Sequence, residues 1–171
     1  MTISLRRQSD AERLSFAATA EKHLDDVYGY LVYLTRDRSL AEDLTADTFE
    51  KALRLWARFD ARRASARTWL CQIARTTALD WFRSEERRRR REERTAAPEE
   101  VEEAFGEGLS PDLESALASL SAAEREVIAL RVLLELDGEE TARVLGISPT
   151  NVSTRLSRAL GKLEERVGAH V

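Results

Sequence analysis

Cysteine occurs once, at Cys71, and histidine twice, at His23 and His170. A lone thiol excludes a disulfide framework, and so few thiols and imidazoles leave no basis for a Cys/His zinc site. Only 3 prolines and 7 glycines punctuate 171 residues. With few β-branched or aromatic runs and abundant Ala, Leu, Glu and Arg, the chain is expected to be all-α. No apolar stretch approaches the ~20 residues that cross a bilayer. Met1 to Asp10 lacks the apolar centre of a secretory signal, so a cytoplasmic location and no membrane insertion are expected. Catalysis lacks its tools as well. His23 and His170 are the near-neutral bases, and the acids follow helical surfaces and capping positions rather than converging on a nucleophile. The expectation is a non-enzyme without cofactor or metal, with Cys71 a small core residue.

Hydrophobic residues make up 43% of the chain, enough for a core, and charged residues 34%. The net charge of −4 hides segregation. Residues 1–95 hold 20 basic and 16 acidic side chains, while residues 96–171 hold 7 and 15. Asp37 to Glu50 carries five acids and one base, Arg54 to Arg83 seven bases and two acids, and residues 141–163 four bases and no acid. Two basic segments within a mildly acidic chain suit nucleic acid better than the overall charge does.

Periodicity places the helices. Leu24, Val27, Tyr28, Leu31 and Leu34 share one face of a first helix. Ser39-Leu-Ala-Glu42 reads as a capping box opening a second, whose stripe is Ala41, Leu44, Thr48, Phe49, Ala52 and Trp56. A third is predicted from about Ala66 to Arg83, with Leu70, Ile73, Ala74, Thr77 and Trp81 inward. These three would form a helical domain over residues 11–90. A linker follows at 91–112, containing Pro98, Gly106, Gly108 and Pro111. The run Arg87–Arg91 admits two readings, a nucleic-acid contact or a solvated face extending the third helix beside Glu85, Glu86, Glu92 and Glu93.

A second helical domain is expected over residues 113–168. Ser121-Ala-Ala-Glu124 is a capping box, Asp137-Gly-Glu-Glu140 caps a short helix, and Gly146 suits a left-handed exit. Ser148 and Pro149 then start the last helix as N-cap and first residue. A short helix, a tight turn and a longer helix make a helix-turn-helix. With Ala142, Leu145, Ile147, Val152 and Leu156 turned inward, the second helix exposes Asn151, Ser153, Thr154, Arg155, Arg158 and Lys162. Asn pairs with adenine, Arg with guanine, and hydroxyls with base or phosphate. A helical hairpin with a merely polar face is the plainer alternative, but such surfaces usually mix charge signs.

The first domain divides its charge differently. The acids of the second helix repel DNA and suit a basic protein surface. The loop from Arg58 and the third helix offer Arg62, Arg63, Arg67, Arg75 and Arg83, which could follow a phosphate backbone or hold a displaced single strand. Trp56 and Trp81 fit the apolar stripes better than a base-stacking platform.

At this point the chain resembles a family. Ser39-Leu-Ala-Glu-Asp-Leu-Thr-Ala-Asp-Thr-Phe49, Phe59-Asp60 and Arg67-Thr-Trp-Leu-Cys-Gln-Ile-Ala-Arg-Thr-Thr-Ala-Leu-Asp80 are similar to region 2 of bacterial extracytoplasmic-function sigma factors. Leu120-Ser-Ala-Ala-Glu-Arg-Glu-Val127, Val144-Leu-Gly-Ile-Ser148 and Val152-Ser-Thr-Arg-Leu-Ser-Arg-Ala159 are similar to region 4. The resemblance implies a transcription initiation factor of two small helical domains that binds core RNA polymerase and directs it to promoters. It implies that Glu42, Asp43, Leu44, Asp47 and Phe49 dock on the clamp helices of the polymerase β′ subunit, with the β subunit a further partner. It gives Asp60, Arg62, Arg63, Ser65, Arg67, Arg75 and Asp80 to recognition and melting of the −10 element. Asn151, Ser153, Thr154, Arg155, Arg158 and Lys162 would read the −35 element. An anti-sigma factor is an expected partner. Promoter elements one and a half to two DNA turns apart lie ~50–70 Å from each other, within the ~90 Å limit of a flexible segment over residues 85–112. A stand-alone helix-turn-helix regulator, binding its operator without polymerase, is the rival from another class.

Overall fold

Helix follows helix, and most starts are marked by a side chain that can satisfy an orphan backbone N–H. The computed structural model describes the backbone of residues 2–92 and 110–168, and the side chains of residues 15–92 and 110–167. The helices are α1 (Thr2–Thr35), α2 (Arg38–Leu55), α3 (Ala66–Glu92), α4 (Pro111–Ala118), α5 (Ala122–Ile128), α6 (Gly138–Leu145) and α7 (Pro149–Gly168). A 3-10 turn, Trp56–Arg58, closes α2, and a π-helical turn, Ala129–Leu133, prolongs α5. No strand occurs among the described residues. Most of the expected linker, and His170, lie outside them.

Ser121 and Asp137 each close a reciprocal capping box, with Glu124 and Glu140. Gly146 leaves α6 at φ 66°, a left-handed exit that a Cβ would strain. Ser148 Oγ accepts from the Asn151 N–H at 3.2 Å, restarting the chain as α7. Two boundaries differ from the sequence reading. The cap of α2 is Asp37, whose carboxylate accepts from the Leu40 N–H at 3.0 Å, and Ser39 lies inside the first turn. A charged acceptor two residues earlier outcompetes the hydroxyl, directly after Arg36 ends α1 at φ 59°. Helix α3 runs past Arg83 to Glu92. Its last turns are strung with pairs one turn apart, Arg88 to Glu85 at 2.6 Å and Arg90 to Glu86 at 2.8 Å, and such pairs support a solvent-exposed helix. That geometry favours the solvated, helix-extending reading of the arginine run.

Helices α1, α2 and α3 pack on one another, and α7 packs on α4, α5 and α6. The two groups also touch, α3 against α6 and α1 against α5. Their interiors form one continuous cluster, running from Val27, Leu31, Leu44 and Leu70 through Leu130, Leu136 and Val152. The first helix therefore buries more of its circumference than one stripe. Val27, Tyr30 and Leu31 are fully buried, whereas Leu24 is 47% exposed. Trp56, expected inside, is half-buried and stacks on Phe59 at 5.0 Å between ring centroids, with Phe16 and Trp69 alongside. Cys71 is fully buried in α3, and burial pushes its thiol up to about 12.

Candidate functional site

Three surfaces carry the sequence-predicted residues, and the fold treats each differently.

The first is the outer side of α2. Glu42, Asp43, Asp47 and Glu50 are exposed there. Phe49 is half-buried and, with Leu24 and Tyr28 of α1, lines an open groove of ≈ 660 Å³ whose carboxylates are Glu21, Asp25 and Glu42. An apolar groove among carboxylates fits an amphipathic helix with basic flanks. Leu44 departs from expectation. It is 1% exposed, so its side chain holds α2 to the core and offers no surface for a partner. Leu24 was missed as a groove residue because its spacing matched the core stripe; the flanking Glu21 and Asp25 were the available sign.

The second surface is the loop before α3 and the start of that helix. Asp60 accepts from the Arg62 backbone N–H and from its guanidinium, each contact at 3.0 Å. These bonds hold the Asp60 carboxyl below its ordinary value and fix the loop. Arg67 lies 3.9 Å from Asp26. Asp80 faces Arg83 at 3.4 Å and Lys51 at 3.8 Å. Arg58, Arg63 and Trp69 share a cavity of ≈ 540 Å³ with Gln72 and Asp60, and Arg143 of α6 reaches into the same space.

Here the second helical group intervenes. Arg75 donates from Nε to Glu126 Oε1 at 2.8 Å, and the Tyr30 hydroxyl donates to the same oxygen at 2.8 Å. Glu126 belongs to α5, and its side chain is 8% exposed. Burial, and next the adjacent Glu126 carboxylate, raise Tyr30 well above the ordinary phenol value. Ser65 and Thr68 both donate to Glu140 Oε1 of α6, at 3.2 and 2.9 Å. Gln72 donates to the Arg143 carbonyl at 3.1 Å, and Arg143 donates to the Arg63 carbonyl at 3.0 Å. Sequence reasoning missed Tyr30, Glu126, Glu140 and Arg143. The available sign was Glu126 itself, an acid directly before the fully buried Val127 and four residues before the fully buried Leu130.

The third surface is the outer face of α7. Val152 and Ala159 are buried against the rest of the helix-turn-helix, and Leu156 is half-buried. Asn151, Ser153, Thr154 and Arg158 are exposed, with Arg155 half-exposed. The hydroxyls of Ser153 and Thr154 donate to carbonyls one turn back, at 3.2 and 3.0 Å. Lys162 departs from the row. Its ammonium contacts Glu124 of α5 at 2.7 Å, so it ties α7 to its support rather than facing a groove. That hydrogen bond, followed by the one from the Ser121 N–H, lowers the Glu124 carboxyl from its ordinary value. Among the described residues no cluster of His, Cys, Asp and Glu could hold a metal ion, and no helix is long and apolar enough to cross a membrane.

Residues 19–88 match the family model for Sigma-70 region 2, and residues 111–163 match that for Sigma-70 region 4. The chain is 29% identical to the ECF RNA polymerase sigma factor SigX of Bacillus subtilis, covering 90% of this chain and 84% of that protein. It is 36% identical to the ECF RNA polymerase sigma factor SigC of Mycobacterium tuberculosis, covering 78% and 73%. Among solved structures, the sigma factor RpoE of Bartonella quintana, crystallised with the anti-sigma factor NepR, is 25% identical with a TM-score of 0.77. That match covers 90% of this chain and 97% of the other.

Proposed function

The chain belongs to the extracytoplasmic-function sigma factors of the sigma-70 family, transcription initiation factors that direct core RNA polymerase to promoters, and from that premise we propose how its surfaces share the work. Residues 11–90 serve as region 2, 91–112 as the linker and 113–168 as region 4, with the two ends of the linker, 91–92 and 111–112, lying inside α3 and α4. The α2 face, through Glu42, Asp43, Asp47 and Phe49, docks on the β′ clamp helices, where carboxylates around an apolar groove complement a basic amphipathic partner. Leu44 supports that face from beneath.

Asp60, Arg62, Arg63, Ser65, Arg67, Arg75 and Asp80 recognise the −10 element and hold its melted non-template strand. Cations track phosphates, and the cavity beside Trp69 accepts an extruded base. Unstacking costs a few kcal/mol per base, which phosphate contacts and the cavity offset. Asn151, Ser153, Thr154, Arg155 and Arg158 read the −35 element from the major groove, with Lys162 steadying the reading helix. The protein acts in the cytoplasm, catalyses no reaction, and is held inactive by an anti-sigma factor that covers these same faces.

The observation that carries this reading is the acid-free stretch over residues 141–163, in which α7 exposes Asn151, Ser153, Thr154 and Arg158 and buries Val152 and Ala159, set behind a left-handed turn at Gly146. Run-off transcription with purified bacterial core enzyme and a genomic template library tests it. Promoter-dependent transcripts that require the chain are expected; their absence from every template refutes it. Footprinting of the chain alone separates the stand-alone regulator, which would protect an operator without polymerase.

A further inference from the structure

Helix α3 outruns the surface assigned to it. The −10 residues end at Asp80, yet the helix continues for about three more turns, to Glu92. Those turns hold the run Arg87–Arg91, all of it exposed, and the structure divides the run by face. Arg88 and Arg89 turn to Glu85, at 2.6 and 3.5 Å, and Arg90 to Glu86 at 2.8 Å. These pairs support the helix. Arg87 and Arg91, one turn apart, form no ion pair among the described residues, and Arg91 Nε donates to the Arg87 carbonyl at 3.1 Å. Arg89 to Arg91 lie beyond residue 88, where the match to region 2 ends.

The two unpaired arginines continue a face that starts elsewhere. Gln72, Thr76, Asp80, Arg83, Arg87 and Arg91 succeed one another at three or four positions, so they share one side of α3. At the start of that row, Gln72 lines the cavity beside Trp69. Asp80, the one carboxylate in the row, is held by Arg83 at 3.4 Å and Lys51 at 3.8 Å, so the row stays cationic. Arg83, Arg87 and Arg91 cover about 12 Å of helix, a length over which a duplex presents about seven phosphates.

We propose that this row is a phosphate track for duplex DNA. Arg87 and Arg91, continuing from Arg83, grip the backbone of the double helix just upstream of the melted −10 segment without reading its sequence. This rests on the −10 assignment above, which seats the promoter at the Gln72 end of the same face. Two observations choose duplex over single strand. Single-strand grooves stack bases on aromatic rings, whereas the rings of these turns, Trp81 and Phe82, face another side, where they line a pocket with Leu40 and Glu85. The chain also leaves α3 at this end toward region 4, whose helix α7 reads the −35 element, and the DNA between the two elements is paired.

Promoter binding by the holoenzyme, measured against salt on a duplex promoter recovered from the run-off library, tests the track. Arg87→Gln with Arg91→Gln should release about two fewer ions. The loss of affinity from about 50 to about 200 mM salt should then be about tenfold smaller than for the unmodified chain. The weakening should be the same for every spacer sequence. Arg88→Gln with Arg89→Gln removes the same charge from the other side of the helix and should keep the full salt dependence. Arg87→Lys with Arg91→Lys retains the charge and should keep it too. On a single-stranded probe carrying only the −10 segment, the Arg87 and Arg91 glutamine variant should bind like the unmodified chain.

An equal change in both glutamine pairs overturns the proposal, since a general field would then account for it. So does an unchanged salt dependence. A defect that persists on the single-stranded probe moves the contact to the melted strand, and a defect in assembly with core polymerase moves it to protein; either overturns it as well. A holoenzyme of the unmodified chain that ignores the single-stranded −10 probe removes the −10 reading beneath the proposal, while the comparison of the two glutamine pairs on duplex still reports the track by itself.

Discussion

Arg75 and Arg158 are both arginines on helices of a basic stretch, and the two halves of the molecule handle them in opposite ways. Arg75 sits in α3 with 25% of its side chain exposed, its Nε on the buried carboxylate of Glu126 from the other half. Arg158 sits on α7 exposed to solvent, turned away from the buried Val152 and Ala159. The same contrast holds between Ser65, bonded to Glu140, and Asn151, exposed at the start of its helix. Region 4 presents its reading surface outright, and region 2 presents its own to region 4. Basic character is a local property of sequence; availability depends on what the rest of the chain packs against it.

The comparison breaks most visibly if the two halves are independent. Leu130 is fully buried in the cluster that both halves share, so Leu130→Ala should cost about 2–5 kcal/mol, from lost transfer energy and a residual cavity. Because the cluster is continuous, denaturant melts followed by Trp fluorescence, which reports only the region 2 half where all three tryptophans lie, should shift along with far-ultraviolet circular dichroism. Separate transitions would make the halves autonomous.

Next in size is the reading helix. Arg155→Ala should cost about 1–3 kcal/mol at the −35 element and relax its sequence preference, measured by holoenzyme binding to a panel of −35 variants. A uniform loss across the panel would make Arg155 a phosphate contact instead. Smaller again, Asp37→Ala removes the cap of α2 and should cost about 1 kcal/mol of stability, read from the denaturation midpoint. Polymerase binding should persist, because the exposed carboxylates of α2 remain.

The smallest effect concerns Lys162. Its ammonium is half in solvent, so Lys162→Ala should cost at most about 1 kcal/mol. The sign with pH follows from Glu124, whose carboxyl titrates lower in the folded chain than when unfolded. Its contribution is present above the unfolded value and is lost as pH falls through the folded one. The difference between the variant and the unmodified chain should therefore shrink in acid, as pH-dependent melting would report. A difference that instead grew in acid would remove the ion pair as its source.

Much of the fold was legible before any coordinates. Both capping boxes of region 4, the left-handed exit at Gly146 and the restart at Ser148-Pro149 depend on residues within four positions of one another. The start of α2 was misplaced because two acceptors, Asp37 and Ser39, compete within one turn. The reach of α3 beyond Arg83 was left open because helix-supporting pairs and a nucleic-acid contact draw on the same arginines. At the surfaces, residue types were legible and burial was not. Leu44 and Phe49 both fit the α2 stripe, yet only Phe49 reaches the groove beside α1.

Sequence by itself determined where the helices lie, the caps of α5, α6 and α7, the helix-turn-helix and the separation of acidic α2 from basic α3 and α7. Each of these follows from backbone hydrogen bonding and side-chain periodicity over a few turns. Only the tertiary structure decided that Glu126 meets Arg75 and Tyr30, 51 and 96 residues away, and that Glu140 meets Thr68 across 72. Such pairings have no local signature. Which buried carboxylate satisfies which distant donor is settled when whole helices pack, since desolvating a charge is tolerable only once its partner is in place.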